Sequence, residues 1–239
     1  MKILSCNPTL HQTPCFLSPT LAAKITHETL GHLAEADGVI AAGVAAPILH
    51  LPKLPATITV VDYAHTAFGK PVPMPVYTDE EGTTARDVTI INQGNFSGLV
   101  SNRKTAIRLG TPLTGNARGG MVRTRNLALL PGETTQEAIL ATITEGYYLV
   151  DSSLDSSDPL MGDFASIISE GYRIQNGVIC EPLPECTIYC DMAEFWQSVT
   201  HVGNDFAWIT DDCTKFDKKA IIATGAPSIA ATVWIGSMA

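Results

Sequence analysis

The stretch HETLGH, from His27 to His32, holds the residues best suited to chemistry. In the H-E-x-x-H pattern of zinc-binding helices, two histidines four residues apart share one helix face and the glutamate serves as a general base. Here the histidines are five residues apart. At about 100° per residue, five steps along a regular helix carry the second imidazole roughly 140° round from the first. The stretch is therefore either an accident of composition or part of an irregular helix.

Gly31 offers a way to bring the two histidines onto one face. Glycine tolerates backbone distortion that other residues resist. A π-bulge, an i→i+5 turn inside an α-helix, would absorb the extra residue, and such bulges are frequent at functional sites. We predict a π-bulge between His27 and His32, centred near Gly31. A buried imidazole needs partners for its ring nitrogens, and a metal ion is one such partner.

Two imidazoles do not complete a catalytic zinc site, which usually has three protein ligands and a water molecule. Position along the chain does not choose the third ligand among Glu35, Asp37, four other histidines and six cysteines. In a reducing compartment cysteines are expected to be thiols or metal ligands rather than disulfides. Three of the cysteines, Cys180, Cys186 and Cys190, stand in a C-x5-C-x3-C spacing, which is not the spacing of a zinc ribbon. We expect ordinary, partly buried thiols there, with a second metal site as the alternative. The six are Cys6, Cys15, Cys180, Cys186, Cys190 and Cys213.

The composition points to a protein with a large apolar interior. Of its 239 residues, 45% are hydrophobic and only 16% are charged, against about 25% charged in a typical domain. The length suits a single domain over residues 1–239 with a sizeable core. So few charges favour an oligomer with a large buried interface, and a compact monomer with a Ser/Thr/Asn-rich surface is the alternative.

Charge and hydropathy patterns argue against several classes of partner. The net charge is −9, and the longest positive cluster, Arg118, Arg123 and Arg125, is sparse. We therefore expect no nucleic-acid partner. No stretch approaches eighteen apolar residues, so we expect no membrane partner. The N-terminus lacks the long apolar region of a signal peptide, and the cytoplasm is the expected location.

The hydrophobic pattern predicts three helices. The first begins with Ser18 as its cap and Pro19 in its first turn, and runs to about Asp37 with HETLGH in its middle. NRKTAIRLG predicts a short helix ended by Gly110. PGETTQEAILATITEG predicts a second amphipathic helix, which begins at a threonine and closes at Gly146.

The remaining segments favour strands and turns. ATITVVDY, FWQSVTHVG and AIIATGAPSIAATVWIG are predicted strands, and two hairpins are predicted to turn at Gln93-Gly94-Asn95 and at Asn176-Gly177. The polar segment Asp151 to Asp163 is predicted to be a surface loop. Helices do not alternate regularly with strands. The expected fold is therefore α+β, with a largely antiparallel sheet, a helix carrying the candidate zinc ligands and a second amphipathic helix.

Several segments along most of the chain form a specific combination. They are LSPTLAAKITHETLGHLAEAD, DEEGTTARDVTIINQGNFSGLVSNRKTAIRLG, TGNARGG, ISEGYRIQNGVICEPL, VGNDFAW and CTKFDKKAIIATGAPSI. Together they resemble the C-terminal catalytic domain of the TldD/PmbA (TldD/TldE) metallopeptidases. The resemblance implies that the third zinc ligand is Cys213, fourteen residues before Pro227. It implies Zn2+ binding by His27, His32 and Cys213, with Glu28 as the general base. Glu35 follows as a partner of a ligand histidine.

The sequence also departs from the family pattern. The family's C-G-K is CTK here, and Phe216 and Asp217 stand near its next Gly and Gln positions. We expect a loop of different shape beside the zinc, and the family's choice of substrate is therefore not carried over to this chain. Family members usually carry a large N-terminal domain before the catalytic one, and this chain resembles the catalytic half alone.

The resemblance implies a zinc-dependent peptidase that cleaves short or unfolded peptides, which the family docks by strand addition beside the zinc. Asn116 and Arg118 are candidates to line that groove, and an ordinary solvated loop is the alternative. A zinc-dependent amide hydrolase or maturation enzyme of a natural-product pathway is a second interpretation. A non-catalytic zinc-containing subunit is a third, against which the intact Glu28 argues. The expected partners are a peptide or small amide substrate and a second subunit. That subunit would form a homodimer or a heterodimer with a TldD/PmbA-like chain.

Overall fold

The computed structural model describes residues 11–158, 163–215 and 217–236. Its helices are α1 (Pro19–Thr26), α2 (Ala36–Ala42), α3 (Arg103–Leu109), α4 (Gln136–Leu140) and α5 (Met192–Ser198). A π-helical turn spans His27–Gly31, and 3-10 turns span Gly43–Ala45 and Pro47–His50. Among the described residues, none of the helices has the length and apolar character needed to cross a membrane.

The strands account for most of the regular structure. In the first half of the chain they are β1 (His11–Leu17), β2 (Val60–Tyr63), β3 (Thr66–Ala67), β4 (Lys70–Pro71), β5 (Val88–Asn92), β6 (Asn95–Phe96), β7 (Ala117–Arg118), β8 (Met121–Val122) and β9 (Asn126–Leu129). In the second half they are β10 (Glu145–Asp158), β11 (Asp163–Gln175), β12 (Val178–Pro182), β13 (Cys186–Asp191), β14 (His201–Val202), β15 (Ala207–Lys215), β16 (Lys218–Ala226) and β17 (Ile229–Gly236).

The first main sheet has seven strands in the order β1-β10-β11-β13-β17-β14, with β12 paired to β11. Strand β1 lies parallel to β10 and antiparallel to β17. Because β1 pairs on both sides, β1, β10, β11, β13 and β17 form a closed circuit of strand pairs. The sheet therefore curves round on itself as a partial barrel.

The second main sheet has six strands in the order β15-β16-β9-β2-β5-β6. Its strands are antiparallel except that β16 runs parallel to β9. The structure is thus a mixed α/β arrangement in which antiparallel pairs predominate, as expected, while each main sheet also contains a parallel pair. Strand β15 forms one edge of this sheet.

Helix α1 packs between the two sheets and belongs to one continuous core. Leu21 and Ile25 of the helix share a buried hydrophobic cluster with Leu127 of β9 and Ile229 of β17. Burial of such side chains supplies most of the favourable free energy of folding. The core therefore fixes the position of α1, and with it the turn that follows. The single-domain boundary over residues 1–239 stays a prediction.

Short-range predictions of turns and caps are confirmed. The first hairpin turns at Gln93-Gly94, between β5 and β6, and the second turns at Asn176-Gly177, between β11 and β12. Gly110 follows α3 in the left-handed conformation, as its position predicts. These features depend on a few adjacent residues whose backbone preferences are local.

Three predictions about elements are wrong. FWQSVTHVG is not a single strand: its first four residues belong to α5, which Asp191 caps by accepting from the Glu194 N–H, and only β14 follows as a strand. The predicted amphipathic helix shrinks to the five residues of α4, and Gly146 lies in β10 instead. The predicted loop over 151–163 is strand as far as Asp158, paired with β11, and residues 159–162 lie outside the described residues. Pairing with neighbouring strands outweighed the polar composition of this segment.

Candidate metal centre

The two histidines of HETLGH are held by an irregular helix. Ser18 caps α1 by accepting from the backbone N–H of Leu21 at 3.1 Å. After Thr26 the chain continues as a π-helical turn, in which the N–H of His32 donates to the carbonyl of His27. The predicted π-bulge between His27 and His32 is confirmed. It brings the two imidazole rings side by side, with their centroids 4.6 Å apart.

Gly31 stands in a closely packed place and has no unusual backbone conformation. Its φ is not among the positive values that favour glycine. A Cβ atom at this position would lie 2.9 Å from Leu127 Cδ2 and 3.3 Å from His27 Nδ1. The expected location of the bulge is therefore right, while the expected reason for the glycine is wrong.

The helix does not run unbroken to Asp37. Glu35 is extended, with φ −75° and ψ 113°, and α2 begins after it. The break is fixed by hydrogen bonds on both sides of Val100, whose N–H donates to Ala34 O and whose carbonyl accepts from Ala36 N. This local strand-like contact turns the Glu35 side chain back towards His32.

Cys213 reaches the histidines from β15. Its Sγ lies 3.4 Å from His32 Nε2. One ligand atom from each of His27, His32 and Cys213 lies within 4.8 Å of the others, and no other such group occurs among residues 11–158, 163–215 and 217–236. Bonds of about 2.0–2.3 Å from imidazole nitrogen and thiolate sulfur to one zinc ion would draw these atoms somewhat closer together.

His27 provides the test of whether these residues fit a metal ion. It is buried, and neither of its ring nitrogens has a hydrogen-bond partner. A buried polar atom without a partner is costly, and a metal ion would satisfy one of the two nitrogens. Burial, followed by the nearby His32 charge, lowers the pKa of His27 well below 6.5, which favours the neutral ring that metals bind. Two imidazoles with a thiol suit an ion of the zinc class.

Glu28 faces the gap between the ligand nitrogens. One carboxylate oxygen lies 3.9 Å from His27 Nε2 and the other lies 3.9 Å from His32 Nε2. The side chain is only partly exposed to solvent. A carboxylate in this place would lie beside an ion held by His27, His32 and Cys213, and Glu28 is not itself a member of that cluster.

Glu35 holds the far side of His32. Its Oε2 lies 3.3 Å from His32 Nδ1 and 2.6 Å from Lys215 Nζ, and its Oε1 accepts from Thr124 N at 3.3 Å. Burial opposes the charged carboxylate, but the charges of His32 and Lys215 and their hydrogen bonds outweigh it. They lower the pKa of Glu35 from 4.5 to about 2. The predicted partnership between Glu35 and a candidate ligand histidine is confirmed, and such a contact orients the ring.

Arg123 was not predicted as part of the site. Its guanidinium is buried, donates from Nη1 to Cys213 Sγ at 3.0 Å, and donates from Nη2 to Lys218 O at 2.7 Å. Arg123 thus holds the Cys213 sulfur in place from the side of β16. The available signal was the sparse arginine cluster, which gives no indication of contact with a cysteine 90 residues away.

A cavity of about 490 Å3 adjoins Arg123, between the 73–80 segment and the 115–125 segment. Both predicted groove residues, Asn116 and Arg118, line it. Asn116 is buried and donates from Nδ2 to Asp62 Oδ2 at 2.7 Å and to Arg123 O at 2.8 Å. Arg118 is partly exposed and donates to Ile221 O. Asn116 thus belongs to the internal frame of the cavity, while Arg118 is the more accessible of the two.

The other cysteines behave as thiols. Cys15, Cys180, Cys186 and Cys190 are free, and Cys180 is the most accessible of the four. Burial, followed by the charge of Asp191, raises the pKa of Cys190 to about 12. Cys6 and Phe216 lie outside the described residues, whereas Asp217 is described and has a φ of 61°.

The chain is similar in sequence to known proteins along most of its length. The sequence model described as PmbA/TldA metallopeptidase C-terminal domain matches residues 11–236. A zinc metalloprotease TldD homolog of Saccharolobus solfataricus is 30% identical over 95% of this chain and 52% of its own length. A metalloprotease of Methanothermobacter thermautotrophicus is 29% identical over 88% of this chain and 47% of its own length. The chain therefore spans about half the length of these relatives.

The fold has counterparts among solved structures. TldE from Thermococcus kodakarensis superposes with a TM-score of 0.75 at 21% identity, covering 95% of this chain and 51% of that protein. At this level of identity the likeness concerns the fold. The match of the family model over residues 11–236 shows that the chain belongs to the PmbA/TldD metallopeptidase family and corresponds to its C-terminal domain.

Proposed function

We propose that this chain is the zinc-binding part of a peptidase that hydrolyses amide bonds in short or unfolded peptides. The observation that carries the proposal is the cluster of His27, His32 and Cys213 with the Glu28 carboxylate against it. The names of the relatives, zinc metalloprotease and metalloprotease, support the same reaction class. His27, His32 and Cys213 would hold the ion.

When bound, zinc supplies Lewis acidity towards the scissile carbonyl and towards a water molecule. Glu28 takes a proton from that water at its carboxylate and passes it to the leaving amine. Glu35 accepts from His32 Nδ1, which leaves Nε2 of His32 directed at Cys213. Arg123 holds Cys213 from the opposite side. These contacts keep the donor atoms oriented before any substrate arrives.

The edge position of β15 suits a peptide substrate. Cys213 lies on this strand, whose partner β16 pairs with it on one side only in the six-stranded sheet. An extended peptide can add to such an edge through main-chain hydrogen bonds. A peptide paired there would pass beside the metal centre. The assembly of this protein as a homodimer or with a TldD/PmbA-like subunit stays a prediction, as does its cytoplasmic location.

Two variants and a control test the roles of the residues. Glu28→Gln keeps the size of the side chain and removes the base, so we expect about one zinc per chain and an activity lowered by about 10²–10⁴. Cys213→Ala removes a ligand, so zinc is expected to be lost or greatly weakened. Cys180→Ala removes a free thiol outside the cluster and is expected to keep both zinc and activity.

Metal content by mass spectrometry and hydrolysis of casein fragments are the measurements. Full zinc in Cys213→Ala would move the third ligand elsewhere. Full activity in Glu28→Gln would contradict the hydrolytic mechanism. Zinc without any hydrolysis of unrelated peptides would favour an enzyme dedicated to one small amide or peptide leader.

A further inference from the structure

Lys215 joins the strand of Cys213 to the segment that follows the histidines. It stands two residues after Cys213 on β15, so both side chains face the same side of the strand. Its Nζ lies 2.6 Å from Glu35 Oε2 and 2.7 Å from Asp37 Oδ1, and it donates to Val122 O at 3.3 Å. One ammonium group therefore contacts three residues from two parts of the chain and joins both parts to β15.

The ion pairs made by Lys215 differ from ordinary surface pairs. The side chain of Glu35 is 1% exposed and that of Lys215 is 14% exposed. Exposed ion pairs contribute little to the stability of a protein, whereas breaking a buried ion pair leaves a buried charge without a partner. Without Lys215, the Glu35 and Asp37 carboxylates would face each other with no cation between them.

Glu35 connects this ion pair to the metal centre. The same oxygen, Oε2, contacts both Lys215 Nζ and His32 Nδ1. Asp37 also accepts from Val122 N through Oδ2, which ties the start of α2 to β8. Lys215 thus acts on both sides of the centre, through Glu35 on the ring of His32 and through β15 on the position of Cys213.

We propose that Lys215 is a positioning residue for the metal centre. Its ion pairs with Glu35 and Asp37 hold Cys213 and the His32 ring in fixed positions relative to each other, and this sets the affinity of the centre for a metal ion. This inference rests on the proposed function, because it takes His27, His32 and Cys213 as the ligands. It adds a residue whose substitution weakens metal binding without removing any ligand.

The test uses three variants of the full chain. Lys215→Met keeps the length of the side chain and removes the charge, while Lys215→Arg keeps the charge. Lys219→Met is the matched control, because Lys219 lies on the same hairpin and pairs with the exposed Asp212 at 2.6 Å, away from Glu35. Metal affinity is measured by competition between each metal-free protein and a chelator for Co2+ and for Zn2+. The absorption spectrum of the Co2+ form reports whether the thiolate remains bound.

Loss of a group that orients a ligand typically costs about 10–100-fold in metal affinity. We expect Lys215→Met to lose at least about tenfold, with a weaker sulfur-to-cobalt absorption band. Lys215→Arg and Lys219→Met are expected to stay within about threefold of the parent. Equal affinity and spectra for the parent and Lys215→Met would overturn the inference and leave the proposed function standing. Equal losses in Lys215→Met and Lys215→Arg would also overturn it, since the charge would then not be the cause.

A parent protein that binds neither Co2+ nor Zn2+ would instead contradict the proposed function itself. If Lys215→Met does not fold, Asp37→Asn provides the test, because it removes the charge of one partner of the lysine and leaves Glu35 and all three ligands in place. Asp37→Asn is expected to weaken Co2+ binding at least about threefold. Unchanged affinity in a folded Asp37→Asn protein would overturn the inference.

Discussion

Thr29 lies inside the π-helical turn and connects it to the core. Its hydroxyl accepts from the indole Nε1 of Trp196 at 2.9 Å and donates to Ile25 O at 2.5 Å, and all three residues are buried. Trp196 belongs to α5, so one hydrogen bond joins the segment that carries the histidines to the helix that the sequence pattern had predicted as a strand. The indole N–H has no access to water as a replacement partner.

We expect Thr29→Val to destabilise the protein by about 1–3 kcal/mol, because it leaves a buried indole donor without an acceptor. Thr26→Val is the matched control. Thr26 is equally buried on the same helical segment, but its hydroxyl donates only to Ala22 O, one turn back. Its loss is expected to cost less than about 1 kcal/mol. Urea unfolding of the metal-free proteins measures both, and equal costs would contradict a special role for the Thr29 hydroxyl.

The π-helical turn is the element on which the centre depends. A regular helix would place His27 and His32 on different faces, as their five-residue spacing requires. The turn passes close to β9, where Leu127 fills the space beside Gly31. Packing against the sheet and the shape of the turn therefore support each other.

Two glycines near the centre separate crowding from backbone effects. Gly31→Ala would push a methyl group against Leu127 and His27, and overpacking of this kind costs about 1–3 kcal/mol. It should also weaken Co2+ binding, because the His27 ring is displaced. Gly38→Ala in α2 meets its nearest atom, His32 O, at 3.9 Å, and is expected to stabilise the protein by about 0.4–1 kcal/mol. Thermal unfolding and Co2+ titration of both variants check this, and a tolerated Gly31→Ala would refute the packing argument.

At the scale of the whole molecule, the surface has few charges and several exposed apolar side chains. Only 16% of the residues are charged. Val44, Ile107 and Ile221 are large hydrophobic residues that are more than half exposed. A dimer interface would bury apolar side chains of this kind.

We therefore expect the chain to form a dimer, either with itself or with a longer member of the family. Light scattering should then give about twice the 25.5 kDa mass of one chain for a homodimer, or a defined complex on co-expression with a family member. Ile107→Glu is expected to weaken the assembly if α3 lies in the interface, with Lys104→Glu on the same helix as a charge control. A stable monomer under all these conditions would contradict the prediction.

The sequence by itself determined the features that depend on neighbouring residues. The Ser18 cap, the hairpin turns at Gln93-Gly94 and Asn176-Gly177 and the end of α3 at Gly110 follow from local backbone preferences. The five-residue spacing of the two histidines indicated where a π-bulge would lie. The prediction that Cys213 is the third ligand came from the family resemblance rather than from the residues alone.

Only the tertiary structure decided how distant parts of the chain meet. Arg123 and Lys215 contact Cys213 and Glu35 across 90 and 180 residues. The break of the helix at Glu35 depends on Val100, and the polar strand β10 depends on its partners β1 and β11. These contacts form because folding pairs strands and buries charges against specific partners. Local periodicity carries no information about which partners those will be.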